Sequence, residues 1–238
     1  MTDALPKIEI ARMAGNSPEM FDNIIVSGLS HPFQRETLDL IGIELSKVVS
    51  IQNYPYVKIE NALVTSKTCL PGNVPEWVIG FWRRVASHYM KADEKLPDRI
   101  YISRKYARIR RVINEDEVLE LLVQSGFTCV FMESLSFIDQ IKIFHNARIV
   151  VAPHGASLTN LMFSSGGARV IELFPDTYVN QCYWTIASTA GLDYSYLIGN
   201  AVHQSKASAP WMSDADFLVD INQLKSLIHD SSTFKVFN

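Results

Sequence analysis

Three stretches of this 238-residue chain set chemically capable side chains immediately after apolar, β-branched runs. In "VVAPHGASLTN" (150–160) the run stops at Pro153, and His154, Gly155, Ala156, Ser157, Thr159 and Asn160 follow. Small residues at a strand-to-helix corner keep the backbone bare, so the N–H groups at the helix start and the positive end of its dipole can meet an anion. A phosphate would fit there. Ser157 and Thr159 add hydroxyl donors, Asn160 adds an amide, and His154 adds a ring that can donate, accept or carry a proton near neutral pH. The plainer alternative is that His154 caps a turn and Gly155 allows a tight corner.

The second stretch, "RKYARIRR" (104–111), follows the strand-like "RIYIS" and holds Arg104, Lys105, Arg108, Arg110 and Arg111. Arginine forks bind phosphate oxygens in pairs, and Arg104, nearest the strand end, is the strongest individual candidate. A solvated basic loop is the alternative. In the third, "IELFPDTYVNQCYW" (171–184), Glu172 sits inside an apolar strand, where a carboxylate must find donors or bear a desolvation cost. A ribose diol would supply two donors, and a salt bridge to a neighbouring Arg or Lys would serve as well. Asn180 and Tyr183 are weaker candidates, since a helix start and an aromatic core position account for them. Lining one crevice, the three stretches describe a nucleoside diphosphate or nucleotide-sugar site.

Other chemistries find no pattern here. GxGxxG, GxxxxGK[ST] and GxSxG are all absent, which argues against a dinucleotide oxidoreductase, a P-loop NTPase and a serine-elbow hydrolase. Three separated cysteines with no CxxC pair signal neither a disulfide framework nor a zinc site, and no metal is expected. A net charge of −3 argues against a surface built for nucleic acid or anionic membrane. The N-terminus lacks a signal peptide's apolar core, no run spans a bilayer, and no Asn-x-Ser/Thr acceptor occurs. The expected location is cytoplasmic, with attachment at the inner face of a membrane left open.

The elements that must position these loops alternate along the chain, as in a parallel sheet covered by helices. Strands are expected at 23–28, 47–51 and 57–65, with helices at 32–43 and from Trp77 to Met90. Trp77, Phe81 and Trp82 on the latter are expected to pack in a core, an interface being the alternative. Residues 69–77 break the pattern, and 91–98 read as a linker. Further strands are expected at 99–103, 127–132, 148–152, 169–174 and 193–198. The helices between them begin at Asn114, where Glu117 completes a capping-box pair, at Ser136, after Gly155, and near Asn180. The tail, 213–230, reads as a short strand and a helix. The fold class is α/β, a Rossmann-like parallel sheet with helices on both faces (92–238) preceded by a partial second α/β domain (1–91). In such a sheet the ligand crevice lies outside the carboxyl ends of the strands, where all three loops fall.

The ordered set "YISRKYARIRRVINEDEV", "LSFIDQIKIFHNARIVVAPHGASLTNLMF", "ARVIELFP" and "YVNQCYW" resembles the catalytic domain of glycosyltransferase family 61. The resemblance runs over roughly residues 20–200 and is strongest from Tyr101 to Trp184. It implies a GT-B-like fold of two Rossmann-like halves and an inverting, metal-independent transfer from a nucleotide sugar, a UDP-sugar above all, to a glycan or polysaccharide acceptor. The bacterial branch of the family suggests a capsular polysaccharide. It further implies that Arg104, with Arg110 or Arg111, and the backbone from Gly155 to Thr159 neutralise the diphosphate, that Glu172 holds the ribose or a sugar hydroxyl, and that His154 serves as base or phosphate donor. Relative to the family the first domain is short: either the chain is a trimmed or natural short form, or a second copy or a partner chain supplies the missing acceptor side. A non-catalytic nucleotide-binding module or subunit is the alternative function.

Overall fold

In the computed structural model the strands expected in the second half assemble into one sheet. The structure describes residues 1–54, 56–69, 72–90, 95–202 and 215–229. Leu70 and Pro71 of the pattern-breaking segment, 91–94 of the linker, and 213–214 and 230 of the tail lie outside them. By its contacts the chain divides into Met1–Tyr89 and Met90–Asn238.

The first unit contains α1 (Lys7–Met13), β1 (Ile24–Val26), α2 (Pro32–Leu40), β2 (Val48–Ser50) and α3 (Glu76–Ser87). Strands β1 and β2 pair in parallel, Ile25 opposite Val49. Phe81 and Trp82 of α3 are buried, together with Val78 and Ile79, as core packing requires, whereas Trp77 stays partly exposed. One expectation fails here, and one helix goes beyond those expected. Helix α1 was not foreseen, and residues 57–65 are not a strand. Val57, Ile59, Leu63 and Val64 are exposed, and an apolar run forms a strand only where another strand meets its backbone.

The second unit runs β3 (Arg99–Ile102), α4 (Glu115–Gln124), β4 (Thr128–Val130), α5 (Phe137–Asn146), β5 (Ile149–Pro153), a 3₁₀ helix (Ala156–Phe163), β6 (Arg169–Pro175), α6 (Cys182–Thr189), β7 (Asp193–Ala201), β8 (Phe217–Leu218) and α7 (Ile221–His229). The sheet order is β4-β3-β5-β6-β7-β8, parallel except for β8, which runs antiparallel to β7. One face carries Tyr101, Val151, Ile171, Leu173 and Leu197 against Val118 and Leu122 of α4 and Leu224, Leu227 and Ile228 of α7. The alternate residues Ile100, Ile102, Val150, Ala152, Val170 and Phe174 are equally buried, so both faces are covered.

Local signals account for most of these boundaries. The Ser136 hydroxyl accepts from the Asp139 N–H at 3.2 Å and caps α5. Gly126, at φ +81°, turns the chain after α4 into β4. The capping box expected at Asn114 does not form. Its amide instead bonds both backbone groups of Val219, Nδ2 to the carbonyl at 2.9 Å and Oδ1 from the N–H at 3.0 Å, fastening the start of α4 to the chain beyond β8. No helix among the described residues is long and apolar enough to cross a membrane.

The chain leaves β3 for one edge and returns through β5 toward the other. In such a sheet a reversal of winding between neighbouring strands marks the ligand crevice at their carboxyl ends; His154 directly follows β5, and Arg104 lies two residues past the end of β3.

Candidate active site

A buried carboxylate sets the exit from β3. Glu115, the first residue of α4, accepts from the Tyr101 hydroxyl at 2.9 Å and the Ser103 hydroxyl at 2.8 Å. The Ser103 oxygen in turn accepts from the Lys105 N–H at 3.1 Å, so the first turn of the basic loop is fixed from below.

Beyond it the cations divide. Arg111 is held by Asp216, which accepts its backbone N–H at 2.8 Å and its guanidinium at 2.6 and 3.0 Å. Arg111, expected to help neutralise a ligand, is instead held in an ion pair that keeps residues 111–113 against β8, where the Ile113 N–H donates to the Phe217 carbonyl and the Phe217 N–H to the Arg111 carbonyl. Lys105 and Arg108 face water. Arg104 and Arg110 turn inward. Arg104 spends one Nη2 bond on the Ile109 carbonyl at 3.0 Å, and Arg110, in the left-handed region at φ +55°, lays its guanidinium 5.1 Å from the centre of the Tyr178 ring.

Both retain a buried Nε–H with no hydrogen-bond partner among the described residues. Buried donors are seldom left so, because an unmet one costs about 1–3 kcal/mol. Burial first, and then the charge of Arg110, pulls the Arg104 pKa below its usual value. Two half-satisfied cations beside one another are a standing attraction for an anion.

The loop after β5 meets them. His154 extends the ladder, its N–H donating to the Leu173 carbonyl at 2.8 Å, and Gly155 follows in extended conformation. A Cβ on Gly155 would collide with Nη1 of Arg104, so only glycine lets the guanidinium lie against this backbone. The helix that follows is 3₁₀ where an α-helix was expected. Its i→i+3 pattern begins with the Leu158 N–H on the Gly155 carbonyl, leaving the Ala156 and Ser157 N–H groups at the front without a partner inside the helix. Ala156 is exposed and Ser157 half-buried. The Thr159 hydroxyl is bonded to Tyr183. Asn160 does not reach the crevice: it is buried, and its Nδ2 donates to Gln140 of α5 at 2.9 Å. Asn180 likewise serves its own turn, accepting the Cys182 N–H at 2.9 Å at the start of α6.

Glu172 is fully buried, and both its oxygens are taken. Oε1 lies 2.5 Å from Nδ1 of His154, and Oε2 accepts the Tyr194 hydroxyl at 2.6 Å. No sugar diol can reach it, so the carboxylate expected to hold a ribose instead holds the histidine. Burial pushes its pKa up, against the opposing pull of His154 and of the Tyr194 hydroxyl. The His154 ring is enclosed by Phe174, stacked at 5.1 Å, by Tyr183 at 4.9 Å and by Tyr178 at 5.2 Å. Burial also raises the neighbouring Cys182 thiol to about 11, which removes it as a nucleophile near neutral pH.

Of the residues singled out in the sequence, Arg104, Arg110, His154 and Gly155 therefore converge, with Ala156 and Ser157 beside them. Tyr178 and Tyr194 were not foreseen. Tyr178 lies in a loop with no motif of its own, and Tyr194 becomes visible only through strand register, which pairs it with Val170, two residues before Glu172 on the same face. Among the described residues no group of three or more His, Cys, Asp or Glu could hold a metal ion. A cavity of about 510 Å³, lined by His145, Asn146, Arg148, Ser165 and Gly166 among others, lies at the other end of β5 and β6, away from these groups.

Comparison with known proteins places this geometry in context. The family described as Glycosyltransferase 61 matches residues 1–171. An EGF domain-specific O-linked N-acetylglucosamine transferase of Mus musculus is 33% identical over 101 residues, 40% of this chain and 19% of that protein. A protein O-linked-mannose β-1,4-N-acetylglucosaminyltransferase 2 of Homo sapiens is 35% identical over 96 residues, 37% of this chain and 16% of that one. The chain thus matches less than a fifth of either relative's length. Both names speak of N-acetylglucosamine transfer, and neither speaks of a capsular polysaccharide.

Proposed function

Since this chain belongs to glycosyltransferase family 61, we propose that it moves a sugar from a nucleotide-sugar donor to a glycan acceptor, with inversion at the anomeric carbon and without a metal ion. The observation that carries this reading is the approach of Arg104 to the bare backbone at Gly155, with the charge of Arg110 close beside it and a buried Nε–H on each arginine that meets no partner among the described residues, at the carboxyl ends of β3 and β5. Donors already aimed at the place where charge develops are commonly the largest catalytic contribution, and two arginines with helix N–H groups offer that to a departing diphosphate.

In this mechanism the acceptor hydroxyl attacks the anomeric carbon from the side opposite the diphosphate. The new carbon–oxygen bond forms as the old one breaks, and the nucleoside diphosphate leaves with the electron pair. The hydroxyl proton passes to Nε2 of His154, the ring nitrogen that Glu172 does not occupy. The relatives' names make UDP-N-acetylglucosamine the first donor to try and a protein-linked glycan the first acceptor, ahead of a capsular polysaccharide. A GT-B architecture belongs to the same proposal.

A calorimetric titration with UDP, with and without EDTA, followed by release of UDP from UDP-N-acetylglucosamine in the presence of acceptor glycans, tests it. Binding indifferent to EDTA, together with turnover, is the expected result. Binding without turnover on any donor would favour the nucleotide-binding module, and no binding at millimolar UDP would sink both.

A further inference from the structure

We propose that Tyr194 is the remote anchor of the histidine: acting through Glu172, it sets His154 in the tautomer protonated at Nδ1 and so leaves Nε2 as the basic atom. The anchor's catalytic meaning rests on the proposed role of His154 as base; the tautomer itself does not.

Three adjacent strands build the arrangement. Ala152 of β5 lies opposite Glu172 of β6, and Glu172 opposite Tyr196 of β7. Because side chains alternate, His154, two residues beyond Ala152, and Tyr194, two before Tyr196, fall on the face that Glu172 uses. The resulting chain of bonds runs across the sheet, Tyr194 Oη to Glu172 Oε2 at 2.6 Å and Glu172 Oε1 to His154 Nδ1 at 2.5 Å.

The chemistry of each group fixes the direction of the protons. An ionised carboxylate only accepts, so the Nδ1 facing it must carry the hydrogen, and a neutral ring then has its lone pair on Nε2. A protonated carboxyl would reverse this by donating to Nδ1 and sending the ring hydrogen to Nε2. Burial pulls Glu172 toward that protonated form; His154 opposes this first, and the bond donated by Tyr194 adds to the opposition. Burial and the adjacent carboxylate raise the pKa of Tyr194 itself and keep it an O–H donor.

The ionisable groups facing the pair are Tyr196 from β7, Tyr178 from the loop after β6, Cys182 and Tyr183 from α6, and Arg110, which reaches Tyr178 from the loop after β3. The bond to Oε1 comes from His154 and the bond to Oε2 from Tyr194. The aromatic walls of Phe174, Tyr178 and Tyr183 hold the ring plane, so the tautomer, and not ring rotation, decides which nitrogen is free.

Nitrogen-15 spectra of the histidine rings in the full chain, with His154 assigned by comparison with His154→Gln, read the tautomer directly. At neutral pH the wild-type ring is expected to show a protonated Nδ1 and a bare Nε2. Tyr194→Phe keeps the buried ring and removes only the hydroxyl. It should bring an Nε2-protonated population into the spectrum, lower kcat about tenfold, a part of what a general base contributes, and leave the donor KM unchanged. The pH at which kcat rises should move upward, because Glu172 keeps its proton longer. Glu172→Gln, uncharged and of the same shape, is the second variant and should mix the tautomers. An Nε2-protonated ring in the wild type, or unchanged spectra and kcat in Tyr194→Phe, overturns the proposal. A wild-type ring protonated at Nδ1 alongside full turnover by His154→Gln leaves the tautomer assignment standing and removes the proposed base.

Discussion

The guanidinium of Arg104 occupies the space that a side chain on residue 155 would need, so the cation after β3 and the bare corner after β5 are parts of one arrangement. Gly155→Ala is therefore expected to act on Arg104. The colliding atom is the tip of a flexible side chain, so the protein should fold with little change in melting temperature while the cation swings out of place. UDP should bind about 10- to 150-fold more weakly, corresponding to about 1.5–3 kcal/mol for one hydrogen bond to a charged group. Arg104→Ala should lose a similar amount, and the double variant should be no worse than either, because both remove the same contact. Isothermal titration of the three variants checks this, and additive losses would show that the two residues act separately.

Arg111 provides the contrast. It directly follows the inward Arg110 in the "RIRR" run, yet its bonds go to Asp216. Arg111→Ala should leave the UDP affinity within about threefold of wild type, as for the loss of an exposed ion pair distant from a ligand. A loss matching that of Arg104→Ala would return Arg111 to the donor site.

What could be read from the sequence follows a physical division. Residues 99–103, 148–152 and 169–174 announce themselves as strands because their β-branched runs are bounded by polar or breaker residues, and both faces of each are buried. Position after a strand end was enough to single out Arg104, His154 and Gly155, and the fold brings Arg104 against Gly155. Roles that depend on partners far along the chain were not legible. Asn114 looked like a local cap, but its amide is satisfied by Val219, 105 residues away. Glu172 looked like an open acceptor, but register supplied Tyr194 and His154 to fill it. Asn160 looked like part of an anion site because it follows the motif, and its partner Gln140 lies on another helix. Residues 57–65 show the same limit from the other side, with strand-like composition and no strand to pair with.

The buried position of Glu172 carries a signature in stability as well as in turnover. A carboxyl whose pKa is raised on folding binds its proton more tightly in the folded state, so it favours that state on the acid side. Its contribution must fall as pH rises from the unfolded carboxyl's value of about 4.3 through the higher folded value. Glu172→Gln has no such proton to lose. Between pH 4.5 and 7 the melting temperature of the wild type should therefore decline relative to that of the variant. Parallel curves from thermal unfolding would mean that His154 and Tyr194 fully offset the burial of the charge.

Tyr178 touches both halves of the proposed chemistry with one ring. It lies 5.2 Å from the His154 ring in an edge-on contact, and the Arg110 guanidinium sits over it at 5.1 Å. Each contact is modest, about 0.5–1.5 kcal/mol for the aromatic pair and about 0.5–1 kcal/mol for a cation over a partly exposed ring. Removing the ring should therefore loosen the diphosphate cation and the reacting histidine together. Tyr178→Ala is expected to weaken UDP binding about threefold and to lower kcat about tenfold, a double loss that neither Arg110→Ala nor Tyr194→Phe should show. Both contacts use the face and edge of the ring, and the hydroxyl accepts a long bond from Asn180, at 3.4 Å, so Tyr178→Phe should restore affinity and rate alike. Titration and steady-state kinetics on the pair of variants separate the cases: a phenylalanine variant as impaired as the alanine one would place the function of Tyr178 in its hydroxyl and not in the ring that joins Arg110 to His154.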